Sequence, residues 1–252
     1  MIPYDYLLTY RINLGLFHIY SWGLLVAIGF IAGTGLAVRE AKKHNIHKDH
    51  IYNIVTWLII GGLLGARILH VISNWQEFSA QPLEILMIWK GGLDFFGGFF
   101  IAAFAGAWYV RKHKLKVPLL FDIFAPAMAI GHAFGRIGCM LGDGGHVGKL
   151  TTMPWGVLVT TADSPFYGTV RHWTALYEFL ALVAIFFVLI WLRKKKHFDG
   201  AIFSWYLVMY GAYRFLNDFL RVDSTYLGLT VAQYGALVML IAGSIVLWKK
   251  RS

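Results

Sequence analysis

Seven runs of roughly twenty apolar residues recur along the chain, at 19–38, 51–73, 91–110, 117–138, 174–192, 201–220 and 230–248. A helix rises about 1.5 Å per residue and the hydrocarbon core of a bilayer is about 30 Å thick, so each run is long enough to cross. Only 14% of the 252 residues are charged, against about a quarter in soluble domains. These features predict an all-α integral membrane protein of seven transmembrane helices, organised as a single membrane domain over 1–252. The first 18 residues lack a basic start, a short apolar core and a small-residue cleavage site, so no removable signal peptide is expected. Cys139 is the only cysteine, which excludes an intramolecular disulfide.

The connections between the runs alternate in character. REAKKHNIHKDH, RKHKLK, RKKKHFDG and the tail KKRS carry fifteen of the 23 lysines and arginines. The N-terminal arm, the segments 74–90 and 139–173 and the link after 220 carry few. Basic loops stay on the cytoplasmic side, which puts the N-terminus outside and the C-terminus in the cytoplasm, as an odd number of spans requires. The net charge of +10 is therefore a topology signal; no basic and aromatic reading surface accompanies it, and no nucleic-acid partner is expected. In the outer segment 74–90, Pro82 precedes an apolar helical stretch with Trp75 and Trp89 near its ends, a pattern suited to the bilayer interface. The segment 139–173, rich in Gly and Thr, is the longest outer piece and is expected to form a small insertion on that face.

Three arginines lie inside the runs. By the helical rise, Arg214 is roughly 20 Å, Arg67 roughly 24 Å and Arg136 roughly 29 Å from the cytoplasmic start of its span, so all three point to the outer half of the membrane. An intramembrane charge costs roughly 2.5–3.5 kcal/mol and normally faces a partner or a wet cavity. Glu178 enters the fifth run from outside, and Asp218 and Arg221 share a helix face with Arg214. Internal pairing with Glu178 and Asp218 is one explanation. Three arginines against two carboxylates leave positive charge over, and at this depth a phospholipid phosphate would suit guanidinium groups.

Around Arg136, the small residues Ala127, Gly131 and Gly135 recur every fourth position, a stripe for close helix packing, and the glycine pairs at 61–62, 91–92 and 97–98 read as packing sites or bends. His132 lies one turn before Arg136; a lone histidine in a span is as a rule a hydrogen-bonded core residue. GDGGHVG at 142–148 is a glycine-rich turn carrying Asp143 and His146, close enough in sequence to roof the same site. No dense set of His, Cys and carboxylates has ligand spacing, so neither a metal nor another cofactor is expected.

In order along the chain, YSWGLL, GARILHVISNW, IWKGGLDFFGG, APAMAIGHAFGRIGC, RHWTALYEF, YGAYRFLNDFLRVD and LTVAQYG resemble the prolipoprotein diacylglyceryl transferase family over residues 20 to about 240. GRIG and the late YR…D..R element are the most specific parts. The resemblance implies a seven-span enzyme of the bacterial inner (cytoplasmic) membrane that moves the diacylglyceryl group of phosphatidylglycerol onto the lipobox cysteine thiol of a preprolipoprotein signal peptide, releasing glycerol 1-phosphate. It implies that Arg136 and Arg214 hold the phosphate. Asp218 stands where the family usually has Glu, and Arg221 matches its second Arg. Gly138 and Gly148 match the glycine-rich element shaping the lipid site, Tyr177 and Glu178 match the family's LYE, and Asp122 and Pro126 match earlier positions of the fourth span.

Four positions depart from the pattern. Phe96 stands where His or Tyr is frequent, Cys139 where Asn is frequent, Trp22 at a tyrosine position and Trp173 at a proline. Trp22, Phe96, Cys139 and His132 are carried with the lipid-site residues. His146 and Asp143 are the substitutes for a thiol-activating base, unless the thiol needs none: a positive cluster lowers a thiol's pKa by itself. The competing reading is a divergent phospholipid-binding membrane protein without catalysis.

Overall fold

Seven helices of 17 to 26 residues carry the architecture, one over each apolar run, in a computed structural model that describes residues 2–4, 11–13, 18–88, 91–142, 147–160, 164–195 and 197–250. In chain order the helices are α1 (Ser21–Lys43), α2 (Lys48–Ser73), the short α3 (Trp75–Ala80), α4 (Phe95–Lys112), α5 (Val117–Gly142), α6 (Thr174–Leu192), α7 (Ala201–Asn217) and α8 (Val231–Lys249). Five of them, α1, α2, α5, α6 and α8, are long and apolar enough to cross a membrane. Of the other two expected spans, α7 has only 17 residues, and α4 is diluted by glycines, Trp108, Tyr109 and its terminal Arg111 and Lys112.

The expectation of an all-α chain holds for these long elements and not between them. Short strands β1 (Ile2–Tyr4), β2 (Arg11–Asn13), β3 (His18–Tyr20), β4 (Val157–Val159), β5 (Val170–Arg171), β6 (Thr225–Tyr226) and β7 (Leu229–Thr230) occupy the connections. β1 joins β4 in parallel and β4 pairs antiparallel with β5, while β2–β3 and β6–β7 are two-stranded. Backbone groups outside a helix need partners, and short ladders supply them. Inside the 139–173 segment, Val147, Val157 and Val159 form a small buried core with Phe166 and Trp173 packed against it.

The chain groups into two compact units, residues 1–37 with 121–252, and residues 38–120. In the first, the core lies where α5, α6 and α7 meet, at Ala125, Ala129, Ile185, Leu189, Ile202 and Tyr206. Small residues let α1 approach α5: a Cβ on Gly29 would sit 2.8 Å from the Gly131 carbonyl oxygen, and one on Gly33 would sit 3.0 Å from that of Ala127. Two members of the small-residue stripe are therefore used in packing, whereas Gly135 faces nothing within 4 Å.

Two helix starts fix the site. α7 begins at Gly200, whose φ of 99° carries the chain into the helix without a side-chain cap of its own. Asp122, on α5, supplies it: its carboxylate accepts from Gly200 N at 2.7 Å and Phe203 N at 2.8 Å, and Arg193 donates to the Asp122 carbonyl at 2.9 Å. α8 begins with a capping box, in which Thr230 Oγ1 accepts from Gln233 N at 3.1 Å and Gln233 Oε1 accepts from Thr230 N at 2.9 Å.

In the second unit, α2 and α4 cross on glycine faces, with Gly61 against Ala102, Gly98 against Gly62, and Gly65 against Gly97. Arg67, on α2, corrects an expectation. Its place in an apolar run groups it with Arg136 and Arg214 as a source of surplus positive charge, yet its guanidinium is consumed by backbone. Nε donates to Ile85 O at 2.9 Å, Nη1 to Gly91 O at 2.8 Å and Gly92 O at 3.0 Å, and Nη2 to Glu84 O. The Phe78 ring covers the group at 5.0 Å. Gly91 and Gly92, at φ 91° and 75°, make the bend that turns those carbonyls inward.

Candidate functional site

Three helices of the first unit deliver charge to one place. α5 brings Arg136 near its C-terminal end, α6 brings Glu178 near its start, and α7 brings Arg214 in its last turn. Glu178 is fully buried and sits between the two arginines, 3.1 Å from Arg136 Nη2 and 3.4 Å from Arg214 Nη1. Tyr210, one turn before Arg214, donates to the Glu178 carboxylate at 2.8 Å, and His132 Nε2 lies 3.5 Å from it. The His132 and Tyr210 rings meet edge to face at 5.3 Å.

The string continues past Arg214. Arg214 Nη2 lies 3.0 Å from Asp218, which also faces Arg221 at 3.5 Å, and Arg221 pairs with Asp223 at 2.6 Å. Thr230 donates to the second Asp218 oxygen, which ties the cap of α8 to the string. Charges thus alternate from Arg136 through Glu178, Arg214, Asp218 and Arg221 to Asp223. Asp223 is the exposed end, at 39%, while the Glu178 and Asp218 side chains are at 0%. From Arg136 to Asp223 the string sets three guanidinium groups against three carboxylates, with Arg136 and Arg214 sharing Glu178. Burying that much charge is expensive and offers little net stability for its own sake, which points to use.

The glycines of the site are places of close approach. Gly138 packs on Trp22, where a Cβ would fall 3.0 Å from the indole. Gly148 N donates to His172 O at 2.8 Å, and Gly148 bridges the Arg221 backbone, with the Leu220 carbonyl in the space a side chain would need. Arg171 Nη1 donates to Gly148 O at 3.0 Å. Gly148 thereby holds the segment after α5 against the segment that carries Arg221. Cys139 is buried, 3.9 Å from Arg136 Nη1. Tyr177 bonds His172 at 3.2 Å rather than any member of the charge string. Phe96 belongs to the other unit, exposed at the second position of α4, which Asp94 caps. Asp143 and His146 lie outside the described residues.

The structure therefore joins Arg136, Glu178, Arg214, Asp218, Arg221 and His132 into one network, and adds three residues that the sequence reading passed over. Tyr210 and Asp223 open and close the stretch YGAYRFLNDFLRVD, four residues before Arg214 and two after Arg221, and spacing alone gives neither a partner. Thr230 was signalled by the T-x-x-Q capping pattern, which reports a helix start and says nothing about Asp218.

Five helices long and apolar enough to cross a membrane, and a network of half-buried arginines and fully buried carboxylates joining three helices, describe a multi-pass membrane protein with a polar interior. The model of the family "prolipoprotein diacylglyceryl transferase" matches residues 9–249, and the chain belongs to that family. Among relatives named phosphatidylglycerol–prolipoprotein diacylglyceryl transferase, the protein of Finegoldia magna is 36% identical over 227 residues, covering 89% of this chain and 88% of the relative. That of Clostridioides difficile is 34% identical, over 89% and 88%, and that of Coxiella burnetii 34%, over 98% and 97%.

Proposed function

We propose that the chain transfers the diacylglyceryl group of phosphatidylglycerol to the lipobox cysteine thiol of preprolipoproteins. The observation that carries this reading is the family match across nearly the whole chain, at residues 9–249. In the reaction a sulfur–carbon bond forms at the glycerol carbon, the carbon–oxygen bond to phosphate breaks, the thiol proton passes to a base, and glycerol 1-phosphate leaves.

The charge string supports the chemistry. A phosphodiester carries one negative charge, and Arg136 and Arg214 stand together on Glu178 as two guanidinium groups that can meet it. As the ester oxygen departs, the phosphate gains a second negative charge, which Arg136 and Arg214 are placed to neutralise through paired hydrogen bonds. Glu178 holds both guanidinium groups in register, and Tyr210 and His132 hold Glu178. Gly138 with Trp22, Cys139, Gly148, Tyr177, Asp218 and Arg221 complete the residues we assign to the lipid site. For the base we carry Asp143 and His146. No metal or other cofactor enters the scheme.

We also read the chain as one membrane domain with seven spans in the bacterial inner membrane, N-terminus outside, C-terminus cytoplasmic, and residues 139–173 as an insertion on the outer face. The basic connections support this orientation.

The test is a mass measurement. Purified protein, phosphatidylglycerol and a lipobox peptide should yield a diacylglyceryl mass gain on the cysteine peptide and none on a cysteine-to-serine control. No gain with folded protein, beside a working relative, would overturn the reading.

A further inference from the structure

The arginines, carboxylates and Tyr210 use their polar atoms on one another, but α7 presents two polar side chains at the same place that use none. The Tyr213 hydroxyl and both ends of the Asn217 carboxamide are inaccessible to solvent and have no hydrogen-bond partner among the described residues, and the same holds for Arg136 Nε. Asn217 is 4% exposed. Leaving such an atom unpaired is costly, so native proteins keep few of them and keep them for a reason.

Their placement indicates the reason. Ile202, Tyr206, Tyr210, Tyr213 and Asn217 follow one another at spacings of four, four, three and four, and therefore form one stripe on α7. The lower part of that stripe, Ile202 and Tyr206, packs against α5 and α6, while α8 takes a different face, at Gly211 and Ser204. Tyr213 and Asn217 thus continue the face that meets α5 and α6, directly beyond the Tyr210–Glu178 bond. Consistent with this, Tyr213 is an electrostatic neighbour of Glu178, Arg214, Arg136 and Arg221.

The atoms also indicate the ligand. Phosphate oxygens accept hydrogen bonds and satisfy a guanidinium, but a carboxamide with both its NH2 and its carbonyl unpaired needs a partner that donates and accepts. An alcohol hydroxyl does both, and so does the phenol of Tyr213. We propose that Tyr213 and Asn217 form a subsite for the hydroxyl groups of a polyol phosphodiester headgroup, beside the arginines that take its phosphate. The subsite deepens the transferase reading and rests on it for the identity of the lipid, since glycerol is the alcohol of phosphatidylglycerol. It makes these two residues determinants of headgroup specificity, distinct from the charge string that any phospholipid phosphate would satisfy.

The experiment is a binding comparison with the full-length protein in phosphatidylcholine nanodiscs, read by thermal shift against added phosphatidylglycerol, phosphatidic acid and free glycerol 1-phosphate. Tyr213→Phe and Asn217→Leu each remove the unpaired polar atoms and keep the shape. Each should weaken the apparent affinity for phosphatidylglycerol about three- to tenfold, as loss of one neutral hydrogen bond does, and leave that for phosphatidic acid within twofold. Without lipid, both variants should melt at or above the wild-type temperature, because an unpaired buried group has been removed; a merely structural role would lower it. Free glycerol 1-phosphate should follow phosphatidylglycerol if the headgroup alone is read, and a shift by the lipid only would assign the subsite to the intact diester. Phosphatidylglycerol and phosphatidic acid affinities that fall together, or an unchanged preference, would overturn the proposal and give these atoms to internal water. Should Asn217→Leu not fold, Asn217→Ala carries the same comparison. Because binding and turnover are read separately, a wild type that discriminates headgroups through Tyr213 and Asn217 without transferring would sink the transferase reading and leave the subsite standing. Turnover with unaltered lipid preference in both variants would do the reverse.

Discussion

Arg67 and Arg136 are both arginines near the C-terminal end of an apolar run, and their surroundings could hardly differ more. Arg67 donates to four backbone carbonyls and lies against an aromatic ring, so it has been spent on holding the turn after the short α3. Carbonyls are neutral, fixed by the chain and cannot be traded for another acceptor without unravelling the bend. Arg136 instead shares one carboxylate with Arg214 and leaves its Nε unpaired. The first is a fastening, complete in itself. The second shares its counter-charge and keeps one donor unpaired. A buried arginine therefore carries functional meaning only through what its donors meet, and the residue type alone conveys none.

The contrast can be broken at its strongest point first. Glu178→Gln leaves two buried guanidinium groups without their shared counter-charge and should destabilise the protein by about 3–5 kcal/mol, the usual result of removing one partner of a buried pair. Thermal unfolding in nanodiscs measures it, and a loss below about 1 kcal/mol, the range of an exposed pair, would mean that Glu178 is not the centre of the network. Next in size, Arg136→Lys and Arg214→Lys keep the charge but lose the planar fork. Transfer should fall by about 100- to 1,000-fold while the protein inserts normally, because a lysine cannot make paired bonds to phosphate. Normal turnover in either variant would remove the phosphate clamp from the mechanism.

The smallest effect sharpens the other side. Arg67→Met leaves carbonyls unpaired and should cost about 1–3 kcal/mol of stability, with the specific activity of the remaining folded protein unchanged within about twofold. A loss of activity larger than the loss of folded protein would make Arg67 more than a fastening and dissolve the distinction.

Between the two regions lies a lesson about what patterns carry. The departures at Phe96 and Cys139 looked like gaps in the site. Cys139 lies against Arg136, and Phe96 sits exposed at the start of α4 in the other unit. Meanwhile α7 brings a phenol and a carboxamide, at Tyr213 and Asn217, to the very face that carries the network. Both lie in the stretch YGAYRFLNDFLRVD, but neither carries charge, and nothing in the spacing says that their polar atoms lack partners.

By itself the sequence determined the helices, since length and apolarity decide whether a segment can lie in lipid and satisfy its backbone internally. It also determined which residues of the site carry charge, because an arginine inside an apolar run is costly wherever it ends up. Helix phase was legible too: Asp218 and Arg221 were readable on the face of Arg214 from spacing alone. What only the tertiary structure decided is which charges meet. Glu178 could have faced any of the three arginines, and it is the packing of α5, α6 and α7 around Ala129, Ile185 and Tyr206 that sets it between Arg136 and Arg214. Phase along one helix follows from a 3.6-residue repeat, whereas contact between helices depends on which faces the small and large residues allow to touch. Spacing within a single run does not contain that information.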